Sequence, residues 1–204
     1  MGRTKLFSRE DVLTKAISVF WEKGYAETSV QDLERTTGVN KSGLYAEFKD
    51  KKDIFLESLR YYLETRGGDG ILVAEPKGWH NIERFLAVAQ TCYVDGGRRG
   101  CFSVNSLRDL AVLPPDAQQI IDKSNATLKR LMISNIKAEL PGAKNAPLLA
   151  GMVLTFFSGL CIEQNVASNQ AAISRKITNF MNFLRAARYI YESPLNYAGP
   201  LKPR

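Results

Sequence analysis

Side chains that carry most enzyme chemistry are scarce in this chain of 204 residues. There is one histidine, His80, and it stands in a connection rich in proline and glycine. The sequence holds no Gly-x-Ser-x-Gly, His-Glu-x-x-His or Cys-x-x-Cys pattern, and the glycines at 67–70 are not followed by Gly-Lys-Ser/Thr. We therefore expect no enzyme and no metal or other cofactor, and we interpret His80 as structural.

Cysteines are also few, and long hydrophobic runs are absent. The three cysteines form an odd number without metal-ligand spacing, which favours a reducing cytoplasm over a disulfide framework. The first eight residues are polar and basic, without the apolar core of a signal sequence. The longest nearly apolar run, 148–162, is shorter than the roughly 18–20 residues that cross a bilayer. We predict a cytoplasmic protein with no membrane partner.

No segment alternates polar and apolar residues with a period of two, so the sequence predicts an all-α fold. Residues 1–50 are predicted to form a three-helix DNA-binding domain, residues 51–193 a helical effector-binding and dimerisation domain, and residues 194–204 a flexible tail. Helices are expected at about 9–23, 30–37, 41–48, 51–65, 81–95, 101–113, 115–139, 146–165 and 172–191. The first fifty residues alone would be marginal, so they should dock on the larger domain.

The net charge of +7 suggests a polyanionic partner, but its distribution gives little support for the first domain. Residues 1–55 hold ten Lys/Arg against nine Asp/Glu, whereas residues 56–204 hold eighteen against twelve. The prediction of DNA binding therefore depends on a local motif and not on the charge.

That motif is a helix-turn-helix between residues 29 and 51. Ser29 and Asp32 have the spacing that caps a helix beginning at Val30. Gly38 ends this helix, and Asn40 is a suitable N-cap for a second helix. Its outer face is predicted to enter the major groove of DNA. The predicted DNA-binding residues are Ser29, Gln31, Asn40, Lys41, Ser42, Tyr45, Ala46 and Lys51.

Within this set, Lys41 is predicted to contact a base, and Ser29, Tyr45 and Lys51 are predicted to contact phosphates. The segments 29–33, 38–41 and 44–45, with Phe48 and Lys51, resemble the DNA-binding signature of the tetracycline-repressor (TetR) family. The resemblance implies a homodimeric, ligand-responsive regulator, in the first place a repressor, that binds a palindromic double-stranded operator and responds to a small-molecule effector. Glu34 and Glu47 depart from the family pattern, and Glu47 would repel a phosphate.

The remaining 150 or so residues exceed what a small DNA-binding domain needs for support, which argues against a purely architectural DNA-binding protein. They are expected to enclose an effector pocket between helices. Asn105 and Arg108 are the most informative candidates, because they lie one turn apart on an otherwise apolar segment and need partners if buried. The candidate pocket residues are Tyr62, Phe85, Tyr93, Cys101, Phe102, Asn105, Arg108, Met132 and Phe156. Ordinary core packing is the alternative for the apolar members.

Small residues share one face of the helix predicted at 146–165, so a neighbouring helix can approach closely. Together with apolar residues of the last helix, this face is predicted to form a symmetric four-helix dimer contact. The candidate interface residues are Gly151, Thr155, Ser158, Gly159, Ile162, Phe180, Met181 and Leu184.

Cys101 follows the segment Gly-Gly-Arg-Arg-Gly and begins a short predicted helix, where N–H groups and arginines favour a thiolate. An alternative function is therefore a thiol-based regulator that senses electrophiles or oxidants through Cys101. The simpler interpretation is a small packed side chain. Cys92 and Cys161 lie on apolar helical faces and are expected to be inert.

Overall fold

The computed structural model describes residues 7–91, 93–94, 98–109, 111–165 and 169–191. The side chains of 91, 93–94, 98–99, 108 and 187–191 and the predicted tail at 194–204 lie outside this description. The helices are α1 (Arg9–Glu27), α2 (Val30–Thr37), α3 (Lys41–Glu47), α4 (Lys51–Arg66), α5 (Asp69–Leu72), α6 (Trp79–Thr91), α7 (Phe102–Ser106), α8 (Pro115–Glu139), α9 (Ala146–Gln164) and α10 (Gln170–Tyr191).

The predicted all-α fold is confirmed, with helix ends close to those that the capping residues indicate. Two short elements were not predicted: helix α5, and an antiparallel hairpin of β1 (Tyr93–Val94) and β2 (Arg98–Arg99). The segment 101–113, expected to be one helix, is α7 followed by a single 3-10 turn, Leu107–Asp109. We refer to α1–α3 as the head and to α5–α10 as the body, and α4 connects them.

An aromatic cluster joins the head to the body through α4. Trp21 of α1 lies edge-on to Tyr62 of α4, with ring centroids 5.5 Å apart, and Tyr62 lies 5.5 Å from Phe102 of α7. Phe55 of α4 meets Phe102 at 6.0 Å, and all four rings are buried. We call Trp21, Phe55, Tyr62 and Phe102 the junction cluster. Because these rings are in direct contact, we expect a shift of α7 or α4 to move α1 as well.

The bend at Gly24 brings α1 against the body. Gly24 has φ 79°, outside the helical region, although the helix assignment runs on to Glu27. A Cβ at this position would lie 2.6 Å from Oδ2 of Asp109 in the body. Glycine is favoured here by the backbone angle, and a larger residue would also displace the Asp109 side chain.

A buried amide organises the centre of the body. Asn135 of α8 is fully buried, and its Oδ1 accepts hydrogen bonds from the Gly78 N–H at 2.9 Å and from Asn81 Nδ2 at 3.0 Å. Its Nδ2 donates to the carbonyls of Leu72 and Leu131, at 2.8 and 2.9 Å. One side chain thus ties α8 to the end of α5 and to the connection before α6.

Among the described helices, α9 is long and apolar enough to cross a membrane, with a mean hydropathy of 1.7. Only 39% of this stretch is buried. The buried side, including Leu149, Val153 and Leu160, packs on α6, α7 and α8 as a core helix does. Length and composition alone are weak evidence for a membrane span, and the open side of α9 needs an explanation of its own.

Candidate functional site

The helix-turn-helix is held by capping bonds that the sequence predicts. Ser29 Oγ accepts from the Asp32 N–H at 3.1 Å, and Asp32 Oδ2 accepts from the Ser29 N–H at 3.0 Å. Gly38 closes α2 in the left-handed conformation, with φ 75°. Asn40 Oδ1 then accepts from the Gly43 N–H at 2.8 Å and begins α3. The role of Asn40 in the structure is therefore that of an N-cap.

Glu34 explains one departure from the family pattern. Its Oε1 accepts a hydrogen bond of 2.5 Å from the backbone N–H of Lys41. This bond spans the turn and satisfies an N–H group in the first turn of α3 with a side chain of α2. Glu34 therefore fixes the angle between the two helices, a role that short-range sequence patterns do not reveal.

The outer face of α3 brings four of the predicted DNA-binding residues together. Lys41, Ser42 and Ala46 are exposed, and Tyr45 is 37% exposed. Lys41 Nζ lies 5.8 Å from the centroid of the Tyr45 ring. On the opposite side, Leu44 is fully buried in the head, so the outer face is available to a partner.

The start of α2 lies beside a neutralised carboxylate. Ser29 and Gln31 are exposed there, whereas Asp32 is mostly buried and pairs with Lys23 Nζ at 2.7 Å and Arg35 at 2.5 Å. The hydrogen bond from Lys23, helped by bonds from Ser29, holds the pKa of Asp32 well below its usual range. Lys23 and Arg35 were not among the predicted site residues, although the spacing from Asp32 to Arg35 suits a helical ion pair.

Lys51, predicted to contact a phosphate, is engaged within the head in this structure. Its Nζ donates to the carbonyls of Tyr25, at 3.0 Å, and Thr28, at 2.9 Å, and lies 4.6 Å from the centroid of the Tyr25 ring. Carbonyls at a helix C-terminus attract a cation, so Lys51 closes the end of α1. A phosphate contact would require it to give up these bonds.

The body holds a narrow cavity of about 50 Å³ bordered by α4, α6, α7, α8 and α9. Three predicted pocket residues, Tyr62, Phe85 and Cys101, line it. Ser103 and Arg66 add polar groups to its wall. A cavity of this size is far below the roughly 300 Å³ of typical ligand sites, so a larger effector requires the helices to separate.

Other predicted pocket residues lie elsewhere. Phe102 and Asn105 line a separate space of about 140 Å³ against α1, and Asn105 exchanges amide hydrogen bonds with Asn165. Met132 is fully buried in the core, because its face of α8 packs on neighbouring helices. Phe156 stacks on Phe180 at 4.0 Å, on the open side of α9. The side chains of Tyr93 and Arg108 lie outside the described residues.

The predicted dimer face is only partly exposed. A Cβ added at Gly151 or Gly159 would meet nothing within 4 Å, and Ile162 is 49% exposed. Thr155 is exposed, whereas Ser158 and Phe180 are half-buried. Met181 and Leu184 are fully buried, so their assignment to the interface is wrong. They lie on the inner side of α10, which packs against α6.

The exposed face of α9 and α10 holds two residues that the sequence analysis missed. Leu148 of α9 is 58% exposed and Phe183 of α10 is 46% exposed. With Gly151, Gly159 and Ile162 they form what we call the open face. Phe183 is one position from the buried Leu184, and periodicity alone did not distinguish the two apolar sides of α10.

Cys101 is buried at the start of α7, and its surroundings favour the thiolate. The Cys161 side chain forms a hydrogen bond with the Cys101 thiol, and Ser103 Oγ and Tyr62 Oη lie 3.1 and 3.4 Å from Cys101 Sγ. Against the effect of burial, these partners lower the pKa of Cys101 to about 6, with Cys161 contributing most. Cys161 is fully buried and is the partner of Cys101; that it is chemically inert stays a prediction. Cys92 lies outside the described residues.

Comparison with known proteins identifies the head. The profile of the family described as "Bacterial regulatory proteins, tetR family" matches residues 12–58, which run from α1 into the first half of α4. The match includes the whole helix-turn-helix with its capping residues. Residues 12–58 therefore form a DNA-binding domain of the TetR family of transcriptional regulators.

Relatives extend the likeness into the body. The transcriptional repressor ComR of Escherichia coli K12 is 28% identical over 170 residues, which cover 79% of this chain and 81% of ComR. The uncharacterised regulator YezE of Bacillus subtilis 168 is 45% identical over 66 residues, or 32% of this chain and 34% of YezE. These TetR-type relatives are named as transcriptional regulators.

A solved structure shows the same fold. The TetR-family regulator CifR, in complex with a 26-base-pair operator DNA, superposes with a TM-score of 0.74 at 22% identity. The alignment covers 88% of this chain and 98% of CifR. The helical head and larger helical body are thus those of the TetR fold.

Proposed function

We propose that the protein is a homodimeric transcriptional repressor that binds a palindromic double-stranded operator through α3. The observation that carries the proposal is the outer face of α3. Lys41, Ser42, Tyr45 and Ala46 are exposed together, while Leu44 anchors the helix from behind. The N-terminal part of a helix presented in this way suits the major groove. The relation to ComR, named as a repressor, supports repression.

The start of α2 provides the phosphate contacts in this proposal. Ser29 and Gln31 are exposed at a helix N-terminus, which attracts anions. The nearby carboxylate of Asp32 is balanced by Lys23 and Arg35. Tyr45 is the second phosphate contact, and Lys51 acts indirectly by closing α1. The CifR complex with operator DNA supports this mode of binding.

A second copy of the chain occupies the open face of α9 and α10. The faces of both helices are apolar, and space above Gly151 and Gly159 admits another helix at short distance. Pairing α9 and α10 with their copies gives a four-helix contact with two-fold symmetry. That symmetry places two α3 helices about 34–36 Å apart on a palindromic site. It also accounts for the exposed apolar side of α9 in a cytoplasmic protein.

A small-molecule effector acts by opening the body cavity at Tyr62, Phe85 and Cys101. The cavity is bordered by α4, whose Tyr62 belongs to the junction cluster. A ligand that separates α4 from α7 therefore changes the position of the head. A coupling of about 1–3 kcal/mol changes operator affinity by roughly 5–150-fold. Thiol modification at Cys101 is a second candidate signal, favoured by the hydrogen-bonding partners that lower its pKa.

Selection from a random double-stranded DNA library tests the proposal. The protein is expected to enrich a palindrome whose half-sites lie about one helical turn apart. A Lys41→Ala, Tyr45→Ala double variant should enrich no sequence while keeping its helical circular dichroism. A Lys123→Ala, Lys129→Ala variant, which removes exposed cations of α8, is the matched control and should enrich the same palindrome. Enrichment of no site by the parent protein would overturn the proposal.

A further inference from the structure

Two cysteines distant in sequence meet where α7 packs on α9. Cys101 precedes α7 and is 7% exposed, and Cys161 lies near the end of α9 with no exposed surface. The two side chains are hydrogen-bonded partners, and neither forms a disulfide in this structure. Both thiols therefore lie where the start of α7 contacts α9.

The backbone around this pair is closely packed and fixed. Gly100 has φ +78°, and a Cβ there would lie 2.5 Å from the carbonyl oxygen of Cys161. One turn further along, Asn105 and Asn165 exchange two amide hydrogen bonds, of 3.3 and 2.9 Å. These contacts bring the chain before α7 directly onto α9. They keep Cys101 and Cys161 next to each other, which a disulfide requires.

Cys101 also borders the body cavity, through which we expect a small reagent to reach its sulfur. The cavity of about 50 Å³ exceeds the roughly 10–15 Å³ that one water molecule requires. The hydroxyls of Tyr62 and Ser103 lie at 3.4 and 3.1 Å from Cys101 Sγ. Such donors stabilise an anionic sulfur, which is the form that attacks an oxidant.

We propose that Cys101 and Cys161 are an oxidation site that closes to an intramolecular disulfide when the protein meets hydrogen peroxide. The Cys101 thiolate attacks one peroxide oxygen and breaks the O–O bond, which gives a sulfenic acid at Cys101 and, after protonation, one water molecule. The Cys161 sulfur then attacks the sulfenic sulfur and expels the hydroxyl group as a second water, with the Cys161 proton. Two thiols are oxidised and one peroxide is reduced to two waters.

The disulfide is coupled to the head through Tyr62. Tyr62 Oη donates to Cys101 Sγ and accepts from the Phe102 N–H at 3.4 Å, and its ring packs against Trp21 of α1. Closing the S–S bond turns Cys101 Sγ toward α9 and removes the thiolate that Tyr62 contacts. We therefore expect oxidation to alter operator binding, a consequence that depends on the proposed function.

Peptide mapping of the full-length protein after treatment with hydrogen peroxide tests the site. Remaining thiols are blocked with iodoacetamide before digestion. The expected product is a cross-linked pair of peptides that contain Cys101 and Cys161, with the loss of two hydrogen atoms.

A Cys161→Ser variant should instead accumulate a sulfenic acid at Cys101 that dimedone traps. A Cys92→Ser variant is the matched control and should still form the cross-link. A cross-link through Cys92, a disulfide between chains, or unreacted thiols would overturn the proposal.

Fluorescence anisotropy on the selected operator tests whether the disulfide, once formed, changes DNA affinity. The oxidised parent is expected to lose at least tenfold in operator affinity, and a thiol reductant should restore this affinity. The affinity of the Cys161→Ser variant should change less after the same peroxide treatment. A disulfide that forms without any change in affinity would contradict the coupling through Tyr62. A reduced protein that binds no DNA would contradict the proposed function, although the mapped disulfide would stand.

Discussion

The head and the body are both helical, but different kinds of contact hold them in place. In the head, Ser29, Gly38 and Asn40 act on neighbours within three or four residues. In the body, Asn135 joins groups more than fifty residues away in sequence, and Cys101 meets Cys161 across sixty positions. Short-range contacts set the shape of the DNA-binding motif, whereas long-range contacts position the parts that would respond to a signal.

If long-range contacts hold the body together, the largest loss of stability is expected from a substitution at Asn135. Asn135→Ala leaves the Gly78 N–H and the carbonyl of Leu72 buried without their partner. We expect the free energy of unfolding to fall by about 3 kcal/mol or more, measured by urea denaturation. Asn125→Ala on the same helix is the control, and because Asn125 is exposed its effect should stay within about 0.5 kcal/mol. Equal effects in the two variants would show that the buried amide does not organise the body.

Ser29→Ala should produce a smaller change, confined to the head. Losing the cap at the start of α2 costs about 1 kcal/mol of stability. Hydrogen exchange should show faster amide exchange in α2 and α3 and unchanged exchange in α8. A loss of protection spread through the body would mean that head and body unfold as one unit and that the distinction between them is wrong.

Lys51→Ala distinguishes a structural lysine from one that binds phosphate. Because Lys51 Nζ caps the carbonyls of Tyr25 and Thr28, its removal should cost about 0.5–1.5 kcal/mol of stability. The salt dependence of DNA affinity should stay the same, measured by anisotropy at several salt concentrations. A slope lower by about one unit would instead restore Lys51 as a phosphate contact.

The smallest predicted effect is a change in the pKa of one thiol. Cys101 has its pKa lowered to about 6, so its thiolate should form as pH rises through about 6 in the folded protein. Cys161→Ala removes the partner that contributes most, and the midpoint should move to higher pH. The far-ultraviolet absorbance of the thiolate measures both midpoints. An unchanged midpoint in the variant would exclude Cys161 as the cause.

Capping residues made the head predictable from sequence. Helix α2 begins at Val30 and α3 lies between Asn40 and Phe48 as predicted, because each end is set by a side chain a few positions away. The exposure of Lys41 and Tyr45 follows from the same short helix. The role of Glu34 was not predicted from sequence, since its bond to the Lys41 N–H depends on how the turn folds.

The body was predicted only in its helix pattern. Which face of a helix is buried depends on its neighbours, so Met181 and Leu184 were placed outside and Phe183 was overlooked. Cys161 was expected to be inert, because nothing local indicates that α7 would bring Cys101 to it. Lys51 was assigned to DNA because its position matches the family pattern. In the structure its Nζ instead donates to the Thr28 carbonyl at the end of α1.

The most direct test of the account is the sequence preference of Lys41→Ala on the selected operator. Anisotropy would compare the operator with versions that change one base pair at each position of the half-site. We predict a loss of about 1–3 kcal/mol in binding free energy and a loss of discrimination at one position only. Unchanged affinity with unchanged preference at every position would contradict the claim that the outer face of α3 reads DNA.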